Sequence, residues 1–191
     1  LSLFYYQSIR LKKNQFSMMI LIGLIFSIGG DTFLMFKGSQ FFIAGLGCFL
    51  ITHVFYIIAF LNFKKAETGL LNYKKWLIIP FLLYLGVLLS YLWSDLDDMK
   101  IPVLIYATVI CLMAIMMINL KTKLPANIFY MLFLGTMLFM FSDSVIALNK
   151  FKGEILEIPY PRIVIMSTYI IAQLLIALST IRANEIQVES S

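Results

Sequence analysis

A chain of 191 residues in which 61% are apolar and 13% are Asp, Glu, Lys or Arg carries about half the charged fraction of an average soluble domain. With a mean hydropathy of +0.93, this excludes a water-soluble globular enzyme, a disordered chain and a disulfide scaffold, and it points to an all-α, polytopic membrane protein. The net charge of +5 is no nucleic-acid signature, because the basic residues lie between apolar segments, where they set topology; no nucleic-acid partner is expected.

In chain order, residues 1–9 are apolar but too short to cross a bilayer, and they are followed by Arg10, Lys12 and Lys13. A signal peptide carries its charges before the apolar run, so this stretch is expected to be the tail of a truncated helix. Six segments then reach the length of about 20 apolar residues that a crossing needs: 16–36, 41–61, 76–93, 101–120, 127–148 and 163–181. Pro102, Pro125, Pro159 and Pro161 sit at or just before span starts, where a missing N–H costs little. Strand-type alternation is absent, which argues against a transmembrane barrel. The expected organisation is one transmembrane helical domain with residues 182–191 as a tail.

Ten basic residues fall on one side of these spans (Arg10, Lys12, Lys13, Lys64, Lys65, Lys74, Lys75, Lys121, Lys123, Arg182) and five on the other (Lys37, Lys100, Lys150, Lys152, Arg162). The richer side is expected in the cytoplasm, with the C-terminal tail, and a bacterial inner membrane is the expected location. Asp95, Asp97 and Asp98, on the other side, read as a solvated loop, since no further ligand cluster accompanies them.

Of all the charged residues, only Asp31 and Asp143 lie inside spans. A charged Asp at a helix centre costs about 2.5–3.5 kcal/mol on insertion scales, and such residues face the bundle interior and mark sites. Each stands five residues before the end of its span, roughly 7–8 Å inside it at about 1.5 Å per residue. The simpler reading, that each aspartate only glues helices, is weakened by the lack of any basic partner in a span. Around them, Gly23, Ser27 and Asp31 share a face, Gly29 and Gly30 permit close helix approach, and Thr136, Met140, Asp143 and Ala147 share another face with Ser142 alongside. His53 and Tyr56 are three apart and so share a face, and Tyr169, Gln173, Ala177 and Thr180 form a stripe. Small and polar residues at such spacing are also ordinary packing in membranes; their convergence on the aspartates is what favours a site.

His53 is the only histidine, and Cys48 and Cys111 form no CxxC. One His with two Asp makes a poor zinc site, no G-x-S-x-G occurs, and Ser142 directly precedes Asp143, a poor geometry for a triad. No metal or organic cofactor is expected. A faint repeat links Asp31-Thr32 to Asp143-Ser144 at an offset of 112 and Tyr56-Ile57-Ile58-Ala59 to Tyr169-Ile170-Ile171-Ala172 at 113. It suggests a parallel 4+4 duplication, and hence eight spans in the intact chain.

Gly30-Asp31-Thr32-Phe33-Leu34-Met35, then Phe42 and Gly45, then His53-Val54-Phe55-Tyr56, then Phe141-Ser142-Asp143-Ser144, then Tyr169 with Ala172-Gln173 together resemble the YhhN-like lysoplasmalogenase family. The resemblance runs through essentially the whole chain, although the family's N-terminal helix and a Lys-Pro segment of the next are missing. It implies an eight-helix membrane protein that hydrolyses the vinyl ether bond of a lysoplasmalogen, a lysophospholipid, to a fatty aldehyde and glycerophosphoethanolamine or glycerophosphocholine. It also implies that Asp31 and Asp143 are the two functional aspartates. Vinyl ether hydrolysis passes through an oxocarbenium ion and needs one carboxylic acid and one carboxylate, as in glycoside hydrolysis. His53, Tyr56, Ser142, Tyr169 and Gln173 are the candidate substrate-binding residues inside the bundle; Lys37, with Asn149 and Lys150, stands above them near a phosphate. The rival reading is a proton- or cation-coupled transporter, since intramembrane carboxylates also carry ions. The off-centre position of both aspartates and the absence of Pro from their spans count against it.

Overall fold

The computed structural model describes residues 1–10, 14–64, 67–156 and 159–189; Lys12, Lys13 and Lys65 of the charge count, and the last two residues of the expected tail, lie outside these. The described chain is a helical bundle of α1 (Ser2–Ile9), α2 (Gln15–Leu34), α3 (Ser39–Asn62), α4 (Ile79–Leu92), α5 (Lys100–Ile118), α6 (Ala126–Leu156) and α7 (Pro161–Glu189), with short 3-10 turns between some of them. Six of its helical segments are long and apolar enough to cross a membrane: Gln15–Leu34, Ser39–Asn62, Lys75–Asp95, Asp97–Thr122, Ala126–Gly153 and Pro161–Ile186.

Two close helix pairs frame the bundle. α2 starts with a reciprocal cap, in which Asn14 Oδ1 accepts from the Ser17 N–H and Ser17 Oγ accepts from the Asn14 N–H, satisfying two donors that a helix start leaves open. It then packs along α3 through its glycines. A Cβ on Gly23 would lie 2.5 Å from the Tyr56 ring, and one on Gly30 would lie 2.7 Å from the Phe49 ring. Thr52 Oγ1 donates across the seam to the Gly23 carbonyl at 3.0 Å. The tight turn between the two helices passes through Gly38 at φ +125°, a conformation that L side chains rarely adopt. α6 and α7 form the second pair, with Gly135 against the Ala172 carbonyl. α5 wedges between α3 and α6, burying Met113, Ala114 and Met117 completely. α4 stands at the periphery, with Phe81 and Leu92 buried and Leu82, Leu83 and Val87 exposed, as suits a helix with lipid on one side.

Three boundaries differ from the hydropathy reading. The third span is an α-helix over Ile79–Leu92 only, flanked by 3-10 turns at Lys75–Ile78 and Trp93–Asp95. α6 continues past residue 148 to Leu156, and there Lys152 pairs with Asp95 and holds α6 to the end of α4; Asp95 is therefore a tether rather than part of a free loop. α7 continues through most of the expected tail to Glu189, with Ala183 and Asn184 buried, and it also contacts α1. At the same end of the bundle, the buried Lys123 Nζ donates to the Phe63 and Lys64 carbonyls at 3.2 and 2.9 Å and so caps α3. Burial holds this ammonium below the usual lysine pKa.

Candidate active site

The opposite end, where α2 turns into α3, holds both intramembrane aspartates. Asp31 is three residues before the last residue of α2, whereas Asp143 is thirteen before that of α6, because α6 overshoots. The depths that matched by hydropathy therefore do not match by helix end, yet both carboxyls line one open cavity of about 530 Å³ between α2, α3, α6 and α7.

Each carboxyl is held by a phenol from another helix. Tyr169 of α7 donates to Asp31 Oδ2 at 3.0 Å, and Tyr106 of α5 donates to Asp143 Oδ2 through a short hydrogen bond. Behind Tyr169 the bonds continue: Gln173 Nε2 donates to the Tyr169 oxygen at 3.4 Å, and Tyr56 of α3 donates to Gln173 Oε1 at 2.8 Å. Three side chains from two helices thus form a buried run of donors ending on Asp31, the kind of network whose members polarise one another in a low dielectric. Behind Asp143 stands His53, fully buried, with Nε2 3.5 Å from Asp143 Oδ2 and neither ring nitrogen in a hydrogen bond.

Below the carboxyls the bundle is packed with rings. Phe139 lies one turn from Asp143 on α6 and is fully buried. It meets His53, Tyr169 and Phe49 edge to face at centroid distances of 4.8, 5.4 and 6.3 Å. Above the carboxyls, the exposed mouth of the cavity carries Asn149, Lys150 and Arg162, and the Lys150 ammonium stands 5.3 Å from the centre of the Phe42 ring. The cavity thus has a cationic mouth, two acidic groups inside and an aromatic floor.

Of the residues singled out in the sequence, Asp31, Asp143, Ser142 and Tyr169 line this cavity. Ser142 spends its hydroxyl on the Ile165 carbonyl at 3.0 Å, tying α6 to α7. His53, Tyr56 and Gln173 are buried behind the wall, not in it, and their contacts are with Asp143, Gln173 and Tyr169, respectively. Lys37 is exposed in the α2–α3 turn and is not part of the lining; Lys150 and Arg162 are. Sequence patterning does not single out Tyr106, and it counts Arg162 only as a topology charge. Tyr106 is the one tyrosine of α5, which is its only signal. Among the described residues, no group of three or more His, Cys, Asp and Glu converges to hold a metal.

A second cavity adjoins the first. It is a narrow space between α3, α4, α5 and α6, with about 40 Å³ of room for the centres of water-sized molecules against about 530 Å³ in the first, and it shares Leu34, Phe42, Phe49, Asp143 and Ile146 with it.

Residues 1–180 match the family model described as "YhhN family". Among curated relatives, the chain is 35% identical over 170 residues to lysoplasmalogenase TMEM86A of Homo sapiens, covering 87% of this chain and 66% of that protein. It is 34% identical over 177 residues to lysoplasmalogenase TMEM86A of Bos taurus, with the same coverage. To lysoplasmalogenase TMEM86B of Homo sapiens it is 33% identical over 161 residues, covering 84% of this chain and 62% of that protein. The chain therefore spans just under two thirds of the length of these relatives. No solved structure matches it.

Proposed function

The chain belongs to the YhhN family, and from that premise we propose that it is an intramembrane hydrolase that cleaves the vinyl ether bond of lysoplasmalogens, with Asp31 and Asp143 as its acid–base pair. The observation that carries this reading is the pair of carboxyls on one cavity, each oriented by a tyrosine, between a cationic mouth and an aromatic floor. The names of the relatives supply the substrate class.

The reaction needs only groups of this kind. One carboxylic acid delivers a proton to the outer carbon of the C=C–O unit, and the π electrons move to give an oxocarbenium ion beside the other carboxyl, a carboxylate. A water adds to the cationic carbon while the carboxylate takes its proton, and this forms a hemiacetal. The hemiacetal C–O bond then breaks; its hydroxyl proton goes to the carboxylate now on the first aspartate, and the departing glycerol oxygen takes the proton held by the second. The products are a fatty aldehyde and a glycerophospho-alcohol, and the pair ends with one proton between its two carboxyls, as it began. Lys150 and Arg162 at the mouth stand where a headgroup phosphate needs cations. The basic residues, ten against five, support a cytoplasmic C terminus and a cavity mouth on the other face.

The transporter reading gains nothing from the geometry. α2 and α6, which carry the two aspartates, run unbroken, whereas the ion sites of carriers are typically formed by helices broken near the midplane. The test is aldehyde release from a lysoplasmalogen by the purified chain beside Asp31→Asn and Asp143→Asn. Wild-type release with a loss of about 10²–10⁴-fold in each variant is expected for acid–base groups. Near-normal turnover in either variant would remove the two-carboxyl scheme, and no release by folded wild-type protein would remove the reaction.

A further inference from the structure

The second cavity lacks Asp31, Asn149, Lys150 and Arg162, the groups that make part of the first one polar. Its hydroxyls are committed: Ser144 Oγ donates to the Met140 carbonyl at 2.6 Å, so the short Tyr84–Ser144 contact has Tyr84 as donor, and Tyr106 donates to Asp143. What remains facing the space is hydrocarbon, with Leu88 and Leu92 from α4, Ala107 and Ile110 from α5, and Ala147 from α6. On α4 the lining runs from Tyr84 to Leu92, about 12 Å of helix at 1.5 Å per residue. Neither Lys150 nor Arg162 reaches it; they belong to the first cavity alone. The two spaces meet at Leu34, Phe42, Phe49, Ile146 and Asp143, and Asp143 is the one polar side chain of that shared wall.

Resting on the hydrolase reading above, we propose that this second cavity holds the hydrocarbon chain of the substrate, while the first holds its glycerol and phosphate. An amphiphile laid across both spaces must change from polar to apolar at Asp143. In a lysoplasmalogen that change of character occurs at the vinyl ether, so the bond to be cleaved lies beside the carboxyl. Ala107 and Ala147 are then the residues that set how much chain fits, because any larger side chain at either position takes space from it. The hydroxyl-saturated wall suits an alkyl or alkenyl chain and offers nothing to a sugar or a charged head.

The experiment compares binding of octyl, dodecyl and hexadecyl 1-O-alkyl lysophosphatidylcholines, saturated ethers that resist hydrolysis, to the wild-type chain and to Ala147→Phe in nanodiscs of one lipid composition. Partition of each ligand into the bilayer is the same for both proteins and cancels. Aldehyde release from the matching 1-alkenyl lipids is read in parallel. The expected result is that Ala147→Phe lowers the hexadecyl-to-octyl preference by about tenfold or more, the scale on which hydrophobic pockets discriminate chains. Leu83→Phe, on the exposed face of α4, should leave the preference as in wild type. Equal weakening for all chains, or no change, would overturn the proposal. If Ala147→Phe shows no cooperative melting, Ala107→Leu takes its place: a lowered preference supports the chain cavity, and an unchanged one overturns it. A shifted binding preference together with no aldehyde from the wild type would retain the chain cavity and discard the vinyl ether reaction, so the two claims fail separately.

Discussion

Asp31 and Asp143 are both carboxyls in the same cavity, but they are supported differently. Asp31 ends a run of donors from Tyr56 through Gln173 to Tyr169, whereas Asp143 has Tyr106 and, at 3.5 Å, His53. Removing a donor from a buried charge costs about 1.5–3 kcal/mol, or roughly ten- to a hundredfold in rate. Tyr106→Phe and Tyr169→Phe are therefore each expected to lower kcat by about that factor. Tyr56→Phe, three hydrogen bonds away from Asp31, is expected to cost less than Tyr169→Phe, and steady-state kinetics on the three variants would check the order. A Tyr56→Phe loss as large as that of Tyr169→Phe would mean that the run acts through packing. The sequence reveals the aspartates because a charge inside an apolar span is conspicuous. It also shows that His53 with Tyr56, and Tyr169 with Gln173, share helix faces, but not that His53, Tyr56 and Gln173 stand behind the wall. Depth across a bundle depends on neighbouring helices, and helical periodicity carries no information about it. Tyr106 escapes notice for the same reason: its partner is 37 residues away on another helix.

The seam between α2 and α3 shows what a helix pair contributes to the site. Gly30 lets Phe49 approach, and Phe49 walls both cavities. Gly30→Ala would place a methyl 2.7 Å from that ring. Overpacking of this kind costs about 1–3 kcal/mol, so a lower melting temperature and reduced activity are expected together. Gly47→Ala meets nothing within 4 Å and should be neutral or stabilising by up to about 1 kcal/mol through helix propensity. Thermal melts of both variants test the contrast; equal melting would mean that Phe49 moves aside freely. All six spans are legible as elements, because hydropathy over about 20 residues is a strong signal. Their ends are not. Hydropathy reports where lipid stops, whereas α6 and α7 continue into polar sequence, α6 to a tether at Asp95 and α7 to buried Ala183 and Asn184.

Across the whole molecule, the site lies between the α2–α3 pair and the α6–α7 pair, and its bonds cross from one to the other. Tyr169 of the second pair holds Asp31 of the first, and His53 of the first stands by Asp143 of the second. The offsets of 112 and 113 residues relate the same two pairs, so the repeat read in the sequence joins the elements that build the cavity. Neither pair alone brings the two aspartates to one cavity. Asp143 stands in the wall between the two spaces, and a chain seated on one side with its head on the other offers that carboxyl a single face of the double bond. Hydrolysis in deuterium oxide, with the aldehyde trapped at once by reduction, should therefore yield an alcohol bearing one deuterium at its second carbon in one handedness. Mineral acid, which approaches from either side, gives the racemate. The enantiomeric composition of that one carbon would report whether the lipid is held across the wall at the moment the proton arrives.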